Sequence, residues 1–243
     1  MNFNFKFYTN GVREFFYWED NTSLFNYRYQ PIKKDLDFTQ SLLDFLDLDM
    51  NDYFDICTEI SEGLQGLYKD PNASVKSLLF SFDKLSGTHV YFEFLRLQWH
   101  EKLNSFAAGT LAGDIREELR YKDITHIPMN INTAQDQIKY MFKNALDTTA
   151  IREQAEQYNV TDLYDKTLRS DGNPFEFRQI TTGFERIGDS EMVEVLYPAD
   201  MLDIVDYTLR EIIRREIKFK VCKNCGEYFP TIAHGNTEFC NRL

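Results

Sequence analysis

Residues 219–229 read Phe219-Lys220-Val221-Cys222-Lys223-Asn224-Cys225-Gly226-Glu227-Tyr228-Phe229. Two cysteines three positions apart, closed by a glycine, form a tight turn that aims backbone N–H groups at the sulfurs. The glycine supplies the positive φ that such a turn needs. Phe239-Cys240 follows about fourteen residues later and starts a second half-site. Zinc takes four ligands, and His234 gives the pattern C-x2-C-x8-H-x5-C. The spacing predicts a structural zinc ion on Cys222, Cys225 and Cys240, with His234 as candidate fourth ligand and Phe229 packed beneath. Two other readings start from the same residues. A redox C-x2-C would want a thioredoxin-like strand and helix, which do not precede it. The thiols could also stay unligated, with His234 an ordinary loop histidine.

The residues just upstream read as an amphipathic helix. Pro198-Ala199-Asp200 opens it, Leu202, Val205, Leu209, Ile212 and Ile213 form its apolar stripe, and Arg210, Arg214 and Arg215 lie outside the stripe. Proline suits a helix's first turn. From Tyr207 onward there are seven basic and four acidic residues, a balance of +3. The whole chain carries −12, so the preceding 206 residues carry −15. A chain this acidic does not bind nucleic acid over its whole surface, and any such contact falls to the C-terminal end. Three of the four cysteines lie there too, while Cys57 sits alone in an apolar helical pattern. That clustering is a metal pattern, not a disulfide framework.

Here the sequence resembles an uncharacterised family of mostly Firmicute and phage-associated proteins. Their largely helical body is followed by an amphipathic helix and a finger of the form C-x2-C-G-x-x-F…[YF]-C-[DN]-R. The matching residues are Cys222, Cys225, Gly226, Phe229, Phe239, Cys240, Asn241 and Arg242. The match is specific over about 25 residues and architectural over the body. The resemblance implies a zinc-knuckle or treble-clef-like element and brings no activity with it. Related fingers place a further cysteine shortly after the third, so the fourth ligand is expected to be His234 or a residue beyond Leu243.

The body is 43% hydrophobic over the whole chain, with 21 Phe and 14 Tyr, too apolar to stay disordered. Phe3, Phe5 and Phe7 alternate as in a half-buried strand, Thr9-Asn10-Gly11 signals a hairpin, and Val12 to Trp18 returns. Helices are expected from Asp35 to Lys69 in two segments, from Ser74 to Leu85, and from Val90 to Ala112. Ile115–Tyr121 reads as helix again. Ile127-Pro128 reads as an extended link before a helix over Asn132–Asn144. Residues 151–168 read as an exposed helix pair and 170–174 as a loop. Strands are expected over Phe175–Ile180 and Met192–Tyr197. The fold class is mainly α with a small β component (α+β). Residues 1–197 form an acidic body, 198–218 a linking helix and 219–243 the finger.

Other constellations read more plainly. Asp44, Asp47, Asp49, Asp52 and Asp55 make an acidic run. Asp47-x-Asp49-x-Asn51 opens like a calcium loop but lacks its glycine and its terminal glutamate; a helix N-terminus and solvated face fit better. His89, His100 and His126 share no ligand spacing and read as structural. Asp203 and Asp206 share a helix face, to which no catalysis is assigned. No nucleophile elbow, phosphate loop, dinucleotide fingerprint or H-E-x-x-H occurs. Aromatic residues without interleaved basic ones read as core, not as a base-stacking platform.

No apolar run reaches the roughly 18 residues of a membrane span, and no charged-then-apolar leader opens the chain, which points to the cytoplasm. The leading expectation is a non-enzymatic binding protein whose basic finger contacts nucleic acid or a protein partner. The second is an acidic, phage- or defence-related inhibitor that engages a basic partner through the body. The third is an enzyme with a dispersed site.

Overall fold

The computed structural model describes residues 5–18, 32–110, 127–141, 179–186, 192–199, 201–231 and 238–240. Strands β1 (Lys6–Thr9) and β2 (Arg13–Trp18) form the expected hairpin. Its turn is built by side chains: Asn10 Oδ1 accepts the N–H groups of Val12 (3.0 Å) and Arg13 (2.8 Å), and Gly11 sits at φ +86°. β3 (Ile32–Asp37) pairs with β2, and helices α1 (Gln40–Asp47), α2 (Met50–Lys69), α3 (Lys76–Ser86), α4 (Val90–Ala107) and α5 (Ile127–Met141) follow. Then come β4 (Thr182–Arg186), β5 (Met192–Leu196), α6 (Met201–Arg214), β6 (Lys218–Val221) and β7 (Tyr228–Thr231). The described chain is therefore mixed α+β, with an antiparallel sheet in the order β3-β2-β1-β5-β4 and a separate β6-β7 ribbon.

The sheet's inner face carries Phe7 from β1 and Phe5 just before it, Phe16 and Trp18 from β2 and Leu196 from β5, all buried. Helices α4 and α6 cover it. Phe5 meets Phe94 edge-on at 5.4 Å, Phe16 lies 6.2 Å from Tyr91, and Phe7 meets Tyr207 at 5.7 Å. Each such ring, moved from water to a packed core, stabilises by about 2–3 kcal/mol. Ile204, Tyr207, Leu209, Ile212 and Phe219 belong to this same cluster, so α6 and the start of β6 are anchored in the body's core. The outer flank is helical: α2 packs on α3 and α5, and α3 packs on α4.

Buried polar groups set the seams between elements. Gln135 on α5 donates to the carbonyls of Phe45 (2.8 Å) and Leu48 (2.9 Å) at the end of α1, and accepts the Tyr53 hydroxyl of α2 at 2.8 Å. Helix α1 has no side-chain cap of its own; Glu14, fully buried on β2, accepts the N–H groups of Thr39 (2.8 Å) and Ser41 (3.1 Å) instead. The carboxylate thus meets the positive end of that helix.

Four expectations change. Asp35 to Asp37 belong to β3; Lys33, Lys34, Asp35 and Asp37 leave this edge strand without a strong apolar alternation. Helix α4 stops at Ala107, where Ala108 and Gly109 (φ +68°) turn the chain. Ile127-Pro128 opens helix α5, because proline fits a first helical turn whose N–H is unused. Of the strand expected over Phe175–Ile180, the described residues 179–180 are not in a strand, and β4 forms at Thr182–Arg186, where pairing with β5 overrides the glycine at 183. Residues 175–178, the 115–121 helix, the 151–168 helix pair, the 170–174 loop, residues 142–144 and His126 lie outside the described residues.

Candidate metal centre

The site hangs on the β6–β7 ribbon. Lys218 pairs with Thr231 and Val221 with Tyr228, so the chain reverses across residues 222–227. Phe219 and Phe229 are buried on opposite faces of the ribbon, and Phe219 joins it to the body's core. The reversal closes on itself: Cys222 N–H donates to Glu227 O (2.8 Å) and Gly226 N–H to Cys222 O (2.9 Å). Gly226 takes φ +77°, the left-handed conformation its place in the turn requires. Residues 238–240 are tied back by the backbone Lys223 N–H to Glu238 O bond (3.1 Å) and by a 2.8 Å ion pair between the side chains of the same two residues.

This brings three sulfurs together. Those of Cys222, Cys225 and Cys240 all lie within 4.8 Å of one another, and the Cys225–Cys240 separation is 3.7 Å. A tetrahedral ion with sulfurs at about 2.3 Å holds them about 3.8 Å apart, so the spacing fits a thiolate metal site. All three are free thiols. Cys222 is 2% exposed and its sulfur accepts the Cys240 N–H at 3.4 Å, while Cys225 faces solvent.

The N–H groups of Cys240 and Cys225, and then of Asn224, pull the Cys222 thiol down to about 6 against the effect of burial. The Glu227 N–H pulls Cys225 down as well, but loss of water and the neighbouring Cys222 and Cys240 sulfurs outweigh it and hold Cys225 at about 11. The hydrogen bonds to Cys222 favour it as a thiolate, the form that binds metal. His234 lies outside the described residues.

The basic stretch is largely engaged. Arg210 pairs with Asp206 (2.9 Å), Arg214 with Glu211 (2.6 Å) and Glu194 (3.8 Å), Arg215 with Glu211 (3.1 Å), and Lys223 with Glu238. Sequence spacing shows the i,i+4 pairs on α6 but not the partner from β5. Asp203 and Asp206 are buried; Asp203 accepts the Ala199 N–H at 2.7 Å and so ties the chain leading into α6 to its first turn.

The remaining singled-out residues serve the fold. His89 caps α4 by accepting Tyr91 N–H at 3.1 Å, and His100 lies 3.1 Å from Asp83. Asp49 caps α2 through Asn51 N–H at 2.9 Å, and no glycine loop forms there.

No family model, no curated protein and no solved structure matches the chain. No described helix is long and apolar enough to cross a membrane.

Proposed function

We propose that Cys222, Cys225 and Cys240 hold a structural zinc ion, and that the chain is a non-enzymatic binding protein whose zinc-held β6–β7 ribbon contacts a protein partner. The observation that carries this reading is the convergence of the three sulfurs within 4.8 Å of one another on a ribbon anchored by Phe219. When bound, the ion supplies a rigid cross-link between the turn and residue 240, in a segment too short to build its own core. His234 is the fourth ligand in this reading.

A protein partner is favoured over nucleic acid because Arg210, Arg214, Arg215 and Lys223 already face carboxylates. A phosphate backbone would have to displace those ion pairs. The acidic-body reading is the second one, supported by Asp52, Asp55, Glu59 and Glu62 on the exposed side of α2.

Metal analysis of the purified chain is the first test, with about one equivalent of zinc expected; below about a tenth of an equivalent, the metal reading fails. Selection from a displayed random-peptide library tests the second half. Peptides retained by the zinc-loaded chain and lost with Cys222→Ser/Cys225→Ser support the ribbon as the contact. Retention by a DNA duplex with a steep salt dependence would return the finger to nucleic acid.

A further inference from the structure

We propose that β4 is an interaction edge at which two copies of this chain pair antiparallel, joining their sheets across Phe184. The sheet has two outer strands, and they differ in kind. β3 is charged along its length, the usual protection of an edge against stray pairing. β4 reads Thr-Gly-Phe-Glu-Arg and, among the described residues, pairs only with β5.

Register fixes what β4 offers. Tyr197 donates to the Thr181 carbonyl at 2.9 Å, in line with the pairing of Thr182 with Leu196 and Gly183 with Val195. Hydrogen-bonded pairs alternate in an antiparallel ladder, so Gly183 and Glu185 exchange bonds with β5. The N–H and C=O groups of Thr182, Phe184 and Arg186 are therefore directed away from β5, at an edge that no strand among the described residues covers.

The side chains of those same three residues share the sheet's inner face, beyond the helices that cover Phe7 and Phe16. Phe184 is 69% exposed there, and Met192, opposite Arg186, is 57% exposed.

A second copy fits this edge by symmetry. With a two-fold axis at Phe184, that residue opposes its own counterpart and Thr182 opposes Arg186, so every outward backbone group finds a partner. The aromatic rings meet across the axis, a favourable cross-strand pair. No like charges face each other: Arg186 lies beside threonine, and Glu185, on the other face, lies opposite glycine and is already held by Lys6 at 2.8 Å. The contact is a single strand with two apolar side chains per copy, which places it among weak, transient interfaces.

Sedimentation of the full chain tests this. The mass is expected to rise from one chain towards two between about 5 and 500 µM. Each copy carries −12, so screening strengthens the pairing as salt rises. Phe184→Lys sets like charges on the axis, and Thr182→Pro removes an outward N–H at a strand's first position, where proline is tolerated. Both should stay monomeric with an unchanged melting temperature. A synthetic peptide of residues 180–186 should dissociate the wild-type dimer, a readout independent of the variants' folding. A wild-type chain monomeric up to about 500 µM overturns the proposal, even if the peptide binds the edge. So does a dimer indifferent to both variants and to the peptide.

Discussion

Glu14 and His89 bind opposite ends of one residue. Glu14 accepts the Ser41 N–H at 3.1 Å, and His89 Nε2 lies 2.9 Å from the Ser41 carbonyl. The accepting Nδ1 of His89 makes Nε2 the donor, so the ring is neutral. Burial pushes Glu14 up to about 7, with Asp44 adding and the Ser41 and Thr39 hydrogen bonds opposing. Burial likewise pulls His89 down to about 4, with the Ser41 carbonyl opposing.

Their pH effects run in opposite senses. A raised carboxyl contributes stability that is complete below its ordinary value near 4.5 and lost as pH rises to about 7. A lowered imidazole contributes stability that is complete above 6.5 and lost as pH falls to about 4. Each effect is worth about 3 kcal/mol, so together they nearly cancel. Glu14→Gln should unmask a stability that rises with pH between about 4 and 6.5, and His89→Asn one that falls between about 4.5 and 7. Denaturant titrations across this range read it out; variant profiles parallel to wild type would sink the pairing.

Gly11 is crowded by Arg215. A Cβ there would sit 2.1 Å from Arg215 Nη1, and the residue also needs φ +86°. The guanidinium can swing away from Gly11, although that disturbs its seat over the Phe38 ring at 5.8 Å. Gly11→Ala should cost about 1–3 kcal/mol, mostly from the backbone. Gly11→Ala/Arg215→Ala should lose less than the sum of the single changes. Strict additivity in urea unfolding would show that the two do not touch in solution.

Gln135 holds three elements with three hydrogen bonds. Gln135→Leu leaves the Phe45 and Leu48 carbonyls and the Tyr53 hydroxyl without that partner, a loss of about 3 kcal/mol. Tyr53→Phe removes one bond and should cost about 1 kcal/mol. Equal losses for the two variants would argue against the clamp.

Chelation should act locally. Removing zinc is expected to release amide protection over β6, the 222–227 turn and β7, while α2, α3 and α4 exchange as before. Hydrogen exchange with mass detection separates the two. Loss of the main cooperative melt in chelator would mean that the body depends on the ion.

The sequence carried the hairpin, the apolar stripe of α6 and the cysteine turn clearly, because each rests on local spacing. Phe5 and Phe7, for instance, alternate with polar neighbours, and Gly226 closes its turn within five residues. What stayed hidden depends on partners distant in the chain. Leu36 is the inward residue of a strand otherwise nearly all charged, and only the register with β2 makes it one. Gly183 reads as a breaker until Tyr197 lays its ring over it, within 3.2 Å of where a Cβ would stand. Glu14 did leave a trace: it precedes Phe16 and Trp18 at intervals of two, which puts a carboxylate on the buried face. At the cluster of Cys222, Cys225 and Cys240 the three thiols were legible. The engagement of Arg214 with Glu194 was not, since it joins β5 to α6.

The pairing of Phe7 with Leu196 spans 189 residues. On the ribosome the β1–β2 hairpin is made well before β5, and among the described strands the other side of β1 has no neighbour until β5 is made. At about 5–20 residues per second that interval is roughly 10–40 s. Throughout it, a short strand bearing Phe7 and Tyr8 presents unmet backbone groups to every other nascent chain in a polysome. Closure of this sheet is thus late relative to the synthesis of its first strand.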